Sequence, residues 1–424
     1  MAERRSTPKD LLLAAALFAL AYFAAWTTRD RRLEGRLASD EPEWIAISIL
    51  HWQQLVEGAP PAGAELDPAS ERSDNPWKQG VQRTTFGYMN PCLPKLVWGA
   101  TLTAAGHTSA SPQAFQVFHR DDPRAGRDAQ SALLPAEPLA RRVVLALSAL
   151  SAVLLFFCAR ELVAGAAAWI AGSTAFVAWF ATPLVHATGN YLRTDHFMLP
   201  FCLAGLLIAL RRPSATLTWG LLLGVCCGLA VSSKLNGGLL CAATAGWAAL
   251  ATRREGARIG RALLAVALAA LLTLSLFYAL NPRLWGEPLI GVQDILARWD
   301  KLMAYFQDEL APRTGVEVAR TLGERASLFV RTSAGHGVLF GHAGSLLALS
   351  GLATLAWRAA HGCAQARSLL VFAVVFIAGT IAWLPLDWER FYLTAVPALV
   401  LLQVAPLAYL AQRGLAARRA EANL

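Results

Sequence analysis

Charge is what this chain has least of. Asp, Glu, Lys and Arg make up 16% of its 424 residues, 55% are hydrophobic, and mean hydropathy is +0.42. Soluble domains carry roughly a quarter charged residues, so a water-soluble globular fold is excluded. Lysine is scarcer still, with five against 33 arginines. There is no Gly-rich phosphate loop, no zinc-type Cys or His spacing and no nucleophile elbow, which removes the usual nucleotide, zinc and serine-hydrolase signatures. His336 and His342, six residues apart, do not match a common ligand spacing on one helix turn and read as polar interface residues. No inverted repeat of the kind found in many transporters is visible. Six of the seven cysteines lie in or beside apolar runs or on the cytoplasmic face. Only Cys92 lies clearly outside, so no disulfide framework is expected.

What the chain does have is apolar runs long enough to cross a hydrocarbon core of about 30 Å. They fall at 10–26, 140–159, 163–183, 196–211, 215–233, 236–252, 262–280, 336–357, 367–385 and 391–411. This predicts an all-α polytopic membrane protein of about ten transmembrane helices in one domain, residues 1–424. Basic residues mark alternate connections: Arg4, Arg5 and Lys9; Arg160; Arg211 and Arg212; Arg253, Arg254, Arg258 and Arg261; Arg358 and Arg367; then Arg413, Arg418 and Arg419. The positive-inside rule places both termini in the cytoplasm. The net charge of +9 is therefore a record of topology, and nucleic-acid binding is not expected. The first span, with no small-residue cleavage site after it, reads as a retained anchor.

Two long segments are then outside. The first, 27–139, contains a hydrophobic piece at 93–105 that is too short to span and reads as a helix lying on, or dipping into, the outer surface. Around it, 58–80 and 107–138 read as loop. The second, 281–335, begins with an amphipathic helix in which Val292, Ile295, Leu296, Trp299, Leu302, Met303 and Phe306 share one face.

The candidate site residues cluster on this outer side. Asp40 and Glu41 open a helix, Glu41 to Val56, with Ile45, Ile49, Trp52 and Val56 at helical spacing. Asp40 with Glu43 resembles a capping box and Pro42 suits a first turn, so capping and catalysis are both open to Asp40. Lys95 and Lys234 sit at the outer boundary, where an ammonium can pair with a lipid phosphate or simply snorkel to the surface. Asp195 begins a span, an expensive place for a carboxylate unless it is paired or used; Arg193 is its expected partner. Arg390, between Asp387 and Tyr392, can contact an anionic headgroup or anchor the interface.

Taken in order, these pieces resemble the GT-C superfamily of membrane glycosyltransferases, in particular its protein O-mannosyltransferase and aminoarabinose-transferase branch. Ser39-Asp40-Glu41 resembles that family's first acidic motif, Asn90-Pro-Cys-Leu-Pro-Lys95 its proline-rich segment ending in lysine, and Tyr191-Leu-Arg193-Thr-Asp195 its second acidic position. Gly228 to Lys234, Asn281-Pro282 and Arg390-Phe-Tyr392 resemble later landmarks, and Cys92 and Pro94 depart from the usual residues before the lysine.

The resemblance implies an inverting transfer at the outer, periplasmic face of the inner membrane. The donor would be a polyprenyl-phosphate-linked sugar and the acceptor a hydroxyl of a lipid, glycan or protein. It assigns Asp40 as general base, with Glu41 and Asp195 orienting substrate or holding a divalent metal ion if one is used. Lys95, Lys234, Arg390 and Arg193 would bind the substrate, the first three at its phosphate. A secondary transporter or lipid flippase is the rival reading, which wants ionisable residues deep within spans. A non-catalytic membrane scaffold is the third.

Overall fold

The computed structural model describes residues 8–28, 41–57, 92–108, 128, 130–189, 191–212, 215–255, 259–281, 284, 289, 292–293, 300, 303–304, 306–335, 341–384, 387 and 389–422. Among these there is no β-strand. Helix α1 is Pro8–Thr28, α2 is Glu41–Glu57, α3 is Leu93–Ala104, α4 is Glu137–Arg160, and α5 is Ala166–Ala181. Then follow α6, Pro183–Thr188; α7, Asp195–Arg211; α8, Leu217–Ser233; α9, Gly238–Glu255; and α10, Ile259–Ala279. The last five are α11, Leu322–Gly335; α12, Gly341–Ala360; α13, Ala364–Trp383; α14, Glu389–Tyr392; and α15, Val396–Ala422.

A helix occupies each of the ten expected apolar segments. Among the described residues, five helices are long and apolar enough to cross a membrane: Pro8–Thr27, Leu134–Arg160, Ile259–Ala279, Ala364–Trp383 and Val396–Glu421. Helices α5 and α8, of 16 and 17 residues, are apolar but shorter. The outward faces of α10, α12 and α13 carry bare apolar side chains such as Leu263, Leu271, Leu274, Leu346 and Val374. Lipid, not water, is the solvent that suits them. The amphipathic stretch expected at 292–306 lies largely outside the described residues.

Small residues bring the helices close. A Cβ on Gly224 of α8 would meet the Ala269 Cα of α10 at 2.9 Å, and one on Gly228 would meet Leu276 Cβ at 2.8 Å. This close approach suits a bilayer, where packing rather than the hydrophobic effect joins helices.

A second, smaller apolar core lies at one end of the bundle. It joins α2, α3 and the starts of α4 and α7 through Trp44, Ile45, Ile49, Trp98, Leu102, Val144, Leu192 and Phe197. Trp98 is its centre. Its ring meets Phe197 edge-on at 4.8 Å, and its Nε1–H donates to the Ala140 carbonyl at 3.1 Å. Such an aromatic pair contributes about 0.5–1.5 kcal/mol beyond its buried area. Helix α3 is thus packed on protein along one face, with Pro94, Lys95, Trp98, Gly99 and Leu102 buried. At Gly99 any Cβ would fall on the Ser48 carbonyl of α2.

Candidate active site

Three carboxylates open three helices here: Glu41 at α2, Glu137 at α4 and Asp195 at α7. A helix N-terminus favours negative charge, which is a local reason for acids at these positions. Each has a basic partner: Glu137 finds it one turn on in its own helix, and Glu41 and Asp195 find theirs on other elements.

Glu41 and Glu137 share Arg141. The guanidinium grips Glu41 with two bonds, Nη1 to Oε1 at 3.0 Å and Nη2 to Oε2 at 2.8 Å, while its Nε–H bonds to Glu137. Glu41 Oε1 also accepts the Leu192 backbone N–H at 3.0 Å. All three side chains are at most 4% exposed. Glu41 therefore ties α2 to α4 and to the segment running into Asp195. Asp40, its neighbour, lies outside the described residues.

Asp195 is paired with Lys234, 39 residues away. This corrects the expectation that Arg193 would be its partner. Arg193 instead lays its guanidinium over the Tyr191 ring, 4.8 Å from the centroid, and acts on Asp195 only through its field. Lys234 can reach because α8 ends at Ser233 and Lys234 is extended, at φ −160° and ψ 140°. A 3-10 turn, Leu235–Gly237, follows it. Gly237 lies so close to the Ala230 carbonyl that a Cβ there would collide with it. Burial pushes the Lys234 ammonium below its ordinary value, and the Asp195 carboxylate opposes that.

Arg390 brings a third positive charge to Asp195. Its short helix α14 is pinned by the Tyr392 hydroxyl, which donates to Asp387 at 2.8 Å, and by Thr332, which donates to the same oxygen at 3.0 Å. Three cations from three separate segments thus act on one carboxylate. Asp195 is 6% and Lys234 16% exposed at the side chain, so the pair is accessible on one side.

Lys95 stands on α3, a helix that packs on α2, α4 and α8. It is wholly buried, which is not how a snorkelling lysine ends. Burial pushes its ammonium down to about 8, and Cys92 beside it opposes the shift. The Cys92 N–H donates to Asn281 Oδ1 at 3.0 Å, so Asn281, just after α10, is fastened to the start of α3.

Asp195 and Glu41 are each ion-paired, and among the described residues no three His, Cys, Asp or Glu side chains gather as ligands for a divalent ion. Sequence reasoning missed Arg141 and Glu137. The signal was there: two charges at i, i+4 opening an otherwise apolar span need each other or a use.

No protein-family model and no curated protein match the chain in sequence. Its fold does match a solved one, the archaeal oligosaccharyltransferase AglB from Archaeoglobus fulgidus, in complex with an inhibitory peptide and a dolichol-phosphate. The TM-score is 0.54 at 12% identity over 98% of this chain. The match takes in 52% of AglB, so the chain spans about half the length of that protein. The likeness shows that the two helical folds are similar.

Proposed function

We propose that this protein is a glycosyltransferase that moves a sugar from a polyprenyl-phosphate donor to an acceptor hydroxyl at the outer face of the membrane. The observation that carries the reading is the convergence of Lys234, Arg390 and Arg193 on Asp195, within a fold similar to that of an oligosaccharyltransferase solved with a dolichol-phosphate. In this reading all ten apolar helices cross the inner membrane, both termini are cytoplasmic, and 27–139 and 281–335 lie in the periplasm.

The chemistry follows from charge. The acceptor hydroxyl attacks the anomeric carbon opposite the phosphate and inverts it. Its proton passes to Asp40, and the bond from the anomeric carbon to the phosphate oxygen breaks with its electron pair staying on the oxygen. The departing polyprenyl phosphate gains negative charge, which fixed cations stabilise without reorganising. Lys234, Arg390 and Lys95 serve that role, and Asp195 orients Lys234 and the sugar. Glu41, held by Arg141, fixes the segments that carry Asp40 and Asp195. No step needs a metal ion.

The test is a transfer assay in membranes with a panel of labelled polyprenyl-phosphate sugars. One donor should pass its sugar to a lipid, glycan or protein fraction. Asp40→Asn should express and insert normally yet lose roughly 10²–10⁴ in rate, the usual worth of a general base. Near-normal transfer by that variant would leave Asp40 as a helix cap only.

A further inference from the structure

His196 follows Asp195 in the first turn of α7 and is wholly buried. Its Nε2 lies 3.1 Å from the Thr188 carbonyl oxygen, which can only accept, so the ring proton is on Nε2. Nδ1 is buried and has no hydrogen-bond partner. A second proton there would put a buried N–H where no acceptor stands, at a cost in desolvation and in repulsion from Arg193 and Lys234 that the neighbouring Asp195 carboxylate only partly offsets. Nδ1 is therefore a lone-pair acceptor waiting for a donor.

Buried polar atoms are nearly always satisfied, and one that is not calls for a ligand or an ordered water. His196 has company in this respect. Arg193 Nε, Ser232 Oγ and Thr394 Oγ1 are buried without partners as well, on the same three segments that supply Asp195, Lys234 and Arg390. The cations of the site suit phosphate oxygens, which accept hydrogen bonds. An imidazole acceptor cannot bind those oxygens and needs a donor, which a sugar supplies in its hydroxyls.

We propose that His196 is a specificity-determining residue whose Nδ1 accepts a hydrogen bond from one hydroxyl of the sugar carried by the donor. The inference rests on the sugar-transfer reading and deepens it: the phosphate is held by the cations, and the sugar is read by His196.

Two substitutions separate the ring nitrogens. His196→Gln places an amide N–H where Nε2 was and keeps the Thr188 bond, but removes the Nδ1 acceptor. His196→Asn places an acceptor where Nδ1 was and drops the Thr188 bond. The probes are bare polyprenyl phosphate and the polyprenyl-phosphate sugar selected by the donor panel, each titrated against purified protein. His196→Gln should bind the bare phosphate as the wild type does and the sugar-bearing donor roughly three- to tenfold more weakly, the worth of one neutral hydrogen bond. His196→Asn should recover part of that loss. Unchanged affinity of His196→Gln for both probes means that Nδ1 holds water alone, and equal weakening for both means a structural role; either overturns the proposal. Monodeoxy sugars offered to the wild type give an arm that needs no variant: removing one particular hydroxyl should weaken binding by the same factor, and a flat series is contrary evidence. Wild-type protein that binds neither probe would sink the transfer reading itself.

Discussion

At the scale of single residues, Lys95 is where burial and function pull hardest against each other. A fully buried ammonium is costly, and desolvation brings its proton affinity down to about 8. Its charge is present below that pH and is lost as pH rises through it. If Lys95 grips the carrier phosphate, the KM for donor should rise between about pH 8 and 9 while the KM for acceptor stays level. Lys95→Ala should already show the weakened donor dependence at neutral pH, by roughly ten- to a hundredfold for a lost charge-assisted contact. Lys95→Arg should give a flat profile, because guanidinium does not titrate there. A donor KM that is independent of pH in the wild type and unchanged in Lys95→Ala would remove the residue from phosphate binding. Lysine scarcity pointed to Lys95 and Lys234 from the sequence alone. The Asp195–Lys234 pair was not legible there, because Arg193 is two residues from Asp195 and Lys234 is brought to it only by tertiary packing.

Between elements, Arg141 is the fastening. It spans two carboxylates from two helices, and Glu41 in turn holds the Leu192 amide. Removing one partner of a buried pair leaves a charge uncompensated, at a cost of about 3–5 kcal/mol. Arg141→Met should therefore lower the thermal midpoint of detergent-purified protein sharply. Adding Glu41→Gln should recover part of the loss, since one of the two carboxylates left without Arg141 is then neutral. A midpoint unmoved by Arg141→Met would show that the cluster contributes nothing to holding α2 on the bundle. The helices themselves were readable in advance. Runs of apolar residues long enough to cross a bilayer admit little besides helix, and α2 was placed from its Ile45 and Ile49 spacing, both of which are buried. The face that α3 buries was not readable. The sequence marks it as short and apolar, and only the packing of Trp98 against Phe197 and of Gly99 against Ser48 shows that it turns toward protein.

For the molecule as a whole, the arrangement of charge follows the membrane. Along α4 and α7, Arg160 and Arg211 stand at one end, paired with Asp10 and Glu161, while Glu137 and Asp195 stand at the other, paired with Arg141 and Lys234. If 27–139 stays on one side, single cysteines replacing Ser70 and Ser131 in a cysteine-free background should both react with an impermeant reagent from outside. Labelling of Ser131→Cys only after permeabilisation would mean that the early helices are out of phase with this topology.

The central claim is that a bond to sugar is broken at this end of the bundle, and that nothing is merely carried across. It is tested most directly with purified protein in vesicles, supplied with the donor selected from the panel and an acceptor. Free polyprenyl phosphate and glycosylated product are then measured together. Transfer predicts that they appear in equal amounts, with the anomeric configuration inverted. Donor that reaches the opposite leaflet with its sugar still attached, and no polyprenyl phosphate released, would contradict the account and make the protein a transporter.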